Sequence, residues 1–150
     1  MSPSGVDVFD LIRSDHETVR ELFKRIEATA DDEVRARAEL VRELAGELVS
    51  HAKAERDVFY ETLAERGEDR ALLLEAVEEH EAIERALEDL EVCRAEDERW
   101  PAKLAVLRDL VEHHHDHEER EIFRMGRKAL SRDEAIVLGG AMLERKEALV

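Results

Sequence analysis

Apolar residues recur along this chain at steps of three and four, the spacing that keeps side chains on one side of an α-helix. The first stretch, over about 6–29, lines up Val8, Ile12, Val19, Phe23 and Ile26, and the second, ending near residue 66, lines up Leu40, Leu44, Leu48, Phe59 and Leu63. A third carries Leu73, Val77, Leu87 and Leu90, and a fourth Leu104, Leu107, Val111, Ile122 and Met125. The residues between the stretches agree with this division. Ala30, Asp31 and Asp32 break the first repeat and offer an N-cap to the second helix. Gly67 stands where a C-terminal glycine cap is expected, and Pro101, after the polar run at 96–99, suits the first turn of the fourth helix. Ser131 with Glu134 forms a capping box, so a short fifth helix is expected over about 131–148, closing one end of the molecule through Ile136, Leu138 and Leu143. The pattern predicts an all-α fold: an up-down-up-down four-helix bundle over about 6–130 with a short C-terminal fifth helix, forming one domain across 1–150.

Composition supports helices and narrows the partners. The chain is 41% charged and only 4% aromatic, and its two prolines, Pro3 and Pro101, interrupt no helical stretch. Acidic residues outnumber basic ones 39 to 23, a net charge of −16, which argues against nucleic acid as a partner. No stretch has the uninterrupted apolar length of a membrane span, and the first ten residues lack the basic start and apolar run of a secretory signal. A cytoplasmic protein without a membrane partner is expected. Cys93 is the only cysteine, so no internal disulfide can form, and it reads as a helix residue of no special chemistry.

The apolar stripes share one defect, a histidine in mid-helix. Ile12, His16, Val19, Phe23 run along one face of the first helix; Leu44, Leu48, His51, Glu55, Phe59 along the second; and Leu73, Val77, His80, Leu87 along the third. In the fourth, His113, His114, His115 and His117 crowd together. The continuous stripe Leu104, Leu107, Val111, His114, Glu118, Ile122 selects His114 with Glu118 and leaves the others to flank the site or face water. A stripe covers roughly 100° of a helix, so chance places His16, His51 and His80 all inside it only about one time in fifty.

Depth gives a second test, because residues equidistant from a turn lie level when neighbouring helices run antiparallel. The midpoint of His16 and His51 falls at Glu33 or Val34, that of His51 and His80 at Glu65 or Arg66, and that of His80 and His114 at Asp97, each beside a predicted turn. All four histidines share one layer. Two carboxylates buried in that layer demand a partner or a metal. Residues four apart on a helix are about 6 Å apart along its axis, so His51 with Glu55 and His114 with Glu118 can each aim a nitrogen and an oxygen at a common centre. Imidazole and carboxylate without thiolate suit iron or manganese more than structural zinc. Six ligands exceed the needs of one tetrahedral ion and serve two ions better, roughly 3.5 to 4 Å apart and bridged by the carboxylates and an oxide or hydroxide.

The order His16, His51-x-x-x-Glu55, His80, His114-x-x-x-Glu118 resembles the pattern of the hemerythrin-like, or HHE cation-binding, family. The resemblance spans about 6–130 and extends to Asp15-His16-Glu17, Val58-Phe59-Tyr60 and Glu121-Ile122-Phe123. It implies that His16, His51, Glu55, His80, His114 and Glu118 ligate two non-heme iron ions, with the glutamates as bridges. Family members often place proline after the aromatic residue of the two repeated motifs; Glu61 and Arg124 stand there, so these helices are expected to run straighter or end later. Oxygen-carrying hemerythrins have a second histidine on the third helix where this chain has Glu84, which sets it apart from a simple oxygen carrier. Whether Glu84 or Glu119 joins the ligands stays open.

The expected function is therefore reaction of a di-iron centre with a small oxidant or diatomic ligand: peroxide, oxygen or nitric oxide. The alternative is a non-catalytic oxygen or iron sensing and storage module. Both need an open iron position and an apolar pocket, so the ligand set does not decide whether the protein is an enzyme.

Overall fold

The structure, a computed structural model, describes residues 5–149, and every regular element among them is a helix. The first, α1, spans Val8–Glu27 and starts at Asp7, whose carboxylate accepts the Asp10 amide at 2.8 Å. The second, α2, runs without a break over 34–65: α-helical through Val34–Ala54, π-helical through Glu55–Tyr60 and α-helical again through Glu61–Glu65. It ends at Gly67, whose φ of 74° lets the Glu68 amide reach back to the Leu63 carbonyl in a Schellman cap. The third, α3, covers Arg70–Val92. The fourth, α4, covers 100–129 with Pro101 in its first turn and a second π-helical segment at Glu118–Ile122. The fifth, α5, covers Arg132–Ala148 behind a complete Ser131–Glu134 capping box.

Consecutive helices α1 to α4 pack side by side as an up-down-up-down bundle, and α5 lies along α1 and α2. Two apolar clusters fill the interior. One gathers Phe23, Ile26, Leu44, Leu87, Leu107 and Val111, and the other Val8, Ile12, Phe59, Leu63, Ile122, Phe123 and Met142. The histidine layer lies between them, so the polar site is sealed from above and below by packed side chains.

Several local expectations are corrected. Asp31 and Asp32 do not cap α2. Glu33 takes that position and its side chain accepts the Ala30 amide at 2.7 Å, while Asp31 pairs with the buried Arg37. Arg37 is held there by the Ala95 carbonyl at 2.7 Å and by the face of Trp100. Cys93 caps the end of α3 in an extended conformation instead of lying within it. The α3 stripe passes through Ala76 and Ile83, with Val77 only half-buried. The absence of proline at Glu61 and Arg124 does not give two plain α-helices. Each carries a π-segment, closed by the Glu61 amide on the Arg56 carbonyl and the Phe123 amide on the Glu118 carbonyl. One extra residue in the turn rotates everything after it, which buries Tyr60 and Phe123 and leaves Met125 half-buried.

The fifth helix also turns a different face inward. Ala135, Gly139 and Met142 are buried, whereas Leu143 is 45% exposed and Ile136 and Leu138 are half-buried. Small residues win here because α5 lies against the backbone at the start of α1: a Cβ on Gly139 would come within 2.3 Å of the Val6 carbonyl oxygen. Backbone cannot yield as a side chain can. Gly139→Ala is therefore expected to lift α5 from its seat and cost about 1–3 kcal/mol, read as a lower denaturation midpoint at unchanged slope. An unchanged midpoint would mean that α5 does not dock this closely.

Candidate metal centre

Each of the four bundle helices brings its histidine to the same level. His16 on α1, His51 on α2, His80 on α3 and His114 on α4 are all buried, as are Glu55 and Glu118, the first residues of the two π-segments. Their donor atoms gather in two groups, His16 with His51 and Glu118, and Glu55 with His80 and His114; within each group the atoms lie within 4.8 Å of one another. Each group draws on three helices. The two members of each His-x-x-x-Glu pair fall into different groups, so each glutamate stands between the halves of the site rather than beside its own histidine alone. His51 Nε2 still lies 3.5 Å from Glu55 Oε2.

Three of the four histidines are oriented from behind. His16 Nδ1 meets Glu119 Oε2 at 2.6 Å, His51 Nδ1 meets Asp15 Oδ2 at 2.7 Å and His114 Nδ1 meets Glu79 Oε1 at 2.7 Å. A carboxylate only accepts, so each of these imidazoles donates from Nδ1 and points Nε2 inward. Burial raises the Glu79 carboxyl, but hydrogen bonds from His114 and His117 hold it down at about 2, so it stays an acceptor. Burial draws His80 down to about 4, which keeps its imidazole in the neutral, ligating form.

Most of the inward-facing atoms lack partners; the exceptions are His16 Nε2, 3.1 Å from Glu118 Oε1, and Glu118 itself. Among the described residues, His51 Nε2, both oxygens of Glu55, both ring nitrogens of His80 and His114 Nε2 are buried without an aligned hydrogen bond. His80 Nε2 comes to 3.1 Å from Glu55 Oε1, yet the two do not point at each other. Donors crowded together but aimed past one another are what a common ligand between them requires, since orphaned buried polar groups each carry a desolvation penalty. Burial and the neighbouring Glu55 charge push Glu118 up to about 7. Cations in this layer would relieve that repulsion, so the donor set fits a pair of metal ions.

Residues beyond the six complete the site. The Tyr60 hydroxyl donates to Glu118 Oε2 at 2.5 Å and its ring stacks near His80, an approach made by the π-turn after Glu55. His115 is buried and stacked on His16 with ring centroids 3.6 Å apart. His117 is buried too and shares Glu79 at 3.2 Å, whereas His113 faces water. Both buried neighbours thus flank the site. Glu119 orients His16 and also meets Arg13. Glu84 joins neither group: its side chain is half-exposed and its carboxylate faces Arg56 at 3.8 Å. A cavity of about 20 Å³ adjoins His51, His80, His114 and His115, walled by Leu48, Ile83 and Leu87, with Glu84 on its border. It has room for one water-sized molecule.

Periodicity could not find Asp15, Glu79, Glu119 or Tyr60. The first three are acids among 39 with no local mark of their partners, and Tyr60 becomes inward only through the π-turn.

A four-helix bundle with two buried triads, each of two imidazoles and one carboxylate, defines a metal-binding helical bundle with its ligands in the core. The chain belongs to the hemerythrin HHE cation binding domain family, whose model matches residues 7–126. The crystal structure of a hemerythrin HHE cation binding domain-containing protein from Mycobacterium kansasii is similar in fold, with a TM-score of 0.86 at 23% identity, over 96% of this chain and 87% of that one. No curated protein sequence matches the chain. Among the described residues no helix is long and apolar enough to cross a membrane.

Proposed function

We propose that His16, His51, Glu55, His80, His114 and Glu118 hold two non-heme iron ions and that the centre reacts with a small oxidant or diatomic ligand: peroxide, oxygen or nitric oxide. The observation that carries this is the pair of buried triads, in which His51 Nε2, His114 Nε2, both ring nitrogens of His80 and both oxygens of Glu55 have no aligned partner. Two imidazoles with one carboxylate is a donor set suited to ferrous iron with positions left open. When bound, the iron pair supplies a change of oxidation state and an open position for a small ligand.

The chain's own residues set the conditions for that chemistry. Asp15, Glu79 and Glu119 hold three imidazoles in one tautomer and orientation. Tyr60 presents a phenolic proton to Glu118 inside the layer, and burial together with the Glu118 and Glu55 charges keeps that proton on the tyrosine. The two apolar clusters exclude bulk water, and the small cavity beside His80 admits only something of the size of water or a diatomic molecule.

The third helix bears on which small ligand is handled. Blood-pigment hemerythrins, which this family resembles in fold, place an extra histidine where this chain has Glu84, and here that side chain turns to Arg56 instead of to the triads. The position is left to solvent or to a reacting molecule, so the protein should react with oxygen without returning it. Stopped-flow mixing of the reduced, iron-loaded protein with oxygen is expected to show rapid oxidation, and the oxidised protein should react with peroxide or nitric oxide. Oxygen recovered intact under vacuum would contradict this and favour a sensing or storage module.

A further inference from the structure

We infer that Lys146, on the fifth helix, is a positioning residue of the metal centre: it holds Asp15, and through Asp15 the ligand His51, so that the docking of α5 governs how one ligand is presented. The inference rests on the proposed iron site but concerns a part of the chain beyond residues 7–126, the region that the family model matches.

The geometry is a relay of three groups. Asp15 divides its two oxygens, Oδ2 taking the His51 Nδ1 hydrogen at 2.7 Å and Oδ1 taking the Lys146 ammonium at 2.9 Å. Lys146 is clamped from a second helix as well, its Nζ lying 2.6 Å from Glu47 Oε1 on α2. The side chains of Lys146, Asp15 and Glu47 are 14%, 9% and 19% exposed, so the cluster is largely withdrawn from water. Ala135, Gly139, Met142 and Lys146 follow one another at steps of four, three and four, so Lys146 continues the face on which α5 docks. The Gly139 backbone contact that seats α5 thereby also sets the reach of Lys146.

The other two orienting carboxylates are supported from the bundle itself. Glu119 is met by Arg13 and Arg20 of α1, and Glu79 by His117 of α4. Only Asp15 has its cation supplied by α5. Without Lys146, a nearly buried carboxylate would lose its compensating charge and its second hydrogen bond, leaving it free to rotate away from His51 or draw in water. An Asp15 turned from His51 no longer polarises the imidazole, which becomes a weaker donor and favours the reduced metal over the oxidised one.

The test compares wild type with Lys146→Met, Lys146→Arg and Arg145→Met, each loaded with iron. Arg145 ties α5 to Asp57 at 3.0 Å and touches none of the relay, so it controls for loosening of the helix alone. Lys146→Met is expected to release ferrous iron to a chelator about tenfold faster and to shift the reduction potential upward by about 59 mV, the equivalent of tenfold for one electron. Lys146→Arg should recover most of both, and Arg145→Met should leave both unchanged. Identical release and potential in wild type and Lys146→Met would overturn the inference, as would an equal effect from Arg145→Met. If wild type takes up no iron, the iron reading fails separately. The relay is then judged in the metal-free protein by the NMR signal of the His51 Nδ1 hydrogen: its loss in Lys146→Met supports the relay and its persistence overturns it.

Discussion

In the proposed two-iron centre, His114→Ala should cost at least one ion, whereas His113→Ala should keep both. His114 is one of three donors in the group with Glu55 and His80, its Nδ1 is spent on Glu79, and its Nε2 has no aligned partner in the layer. Removing it leaves one nitrogen and one oxygen there, too few to hold a metal against solvent. His113, one residue away, has a side chain 74% exposed and turned from the site. His117 touches Glu79 but leaves the stronger contact of Glu79 with His114 intact, so His117→Ala should also retain iron. His115→Ala should retain it as well, because the ring packs on His16 and belongs to neither group. Iron content per chain after identical purification decides the matter. Loss in His117→Ala with retention in His114→Ala would mean that the fourth helix is turned by most of a residue step relative to the geometry described.

Metal removal should lower the melting temperature by about 10 °C or more. The layer collects ligands from all four bundle helices, and without cations it leaves Glu55 and Glu118 side by side in a closed core. Folding must then keep a proton on Glu118, whose folded value of about 7 lies above its ordinary 4.5. With the folded value above the unfolded one, the metal-free protein loses stability progressively as pH rises from about 4.5 to about 7, and above that the loss stays at its full size. Bound metal removes the conflict and adds its own binding free energy, about 3–4 kcal/mol once its concentration exceeds the dissociation constant by two to three orders of magnitude. For a chain of this length each kcal/mol moves the midpoint by roughly 2–4 °C. Melting curves that coincide with and without metal would contradict the expectation.

Much of this was legible in the spacing of residues. A helix advances about 100° per residue, so a stripe of Val8, Ile12, Val19, Phe23 and Ile26 sets the inward face of α1 without reference to the rest of the molecule, and His16 falls on it. The equal distances of His16, His51, His80 and His114 from the intervening turns place them at one level for the same reason. The reading broke down where the helix departs from its own period. The π-turns at Glu55 and Glu118 add a residue, and Tyr60 and Phe123 come inward where a constant step predicts Phe59 and Ile122 alone. It also broke down where closeness matters more than hydrophobicity, since α5 docks through Gly139 and not through Leu143. Partners such as Glu79 for His114 and Lys146 for Asp15 join residues 35 and 131 positions apart, and no local pattern marks such pairs.

The central claim, a pair of iron ions in the layer of His16, His51, Glu55, His80, His114 and Glu118, is tested most directly by elemental analysis of protein made in iron-replete cells and purified without chelator. About two iron atoms per chain are expected, as a two-ion site of this kind requires. One zinc atom per chain with no iron would contradict the account.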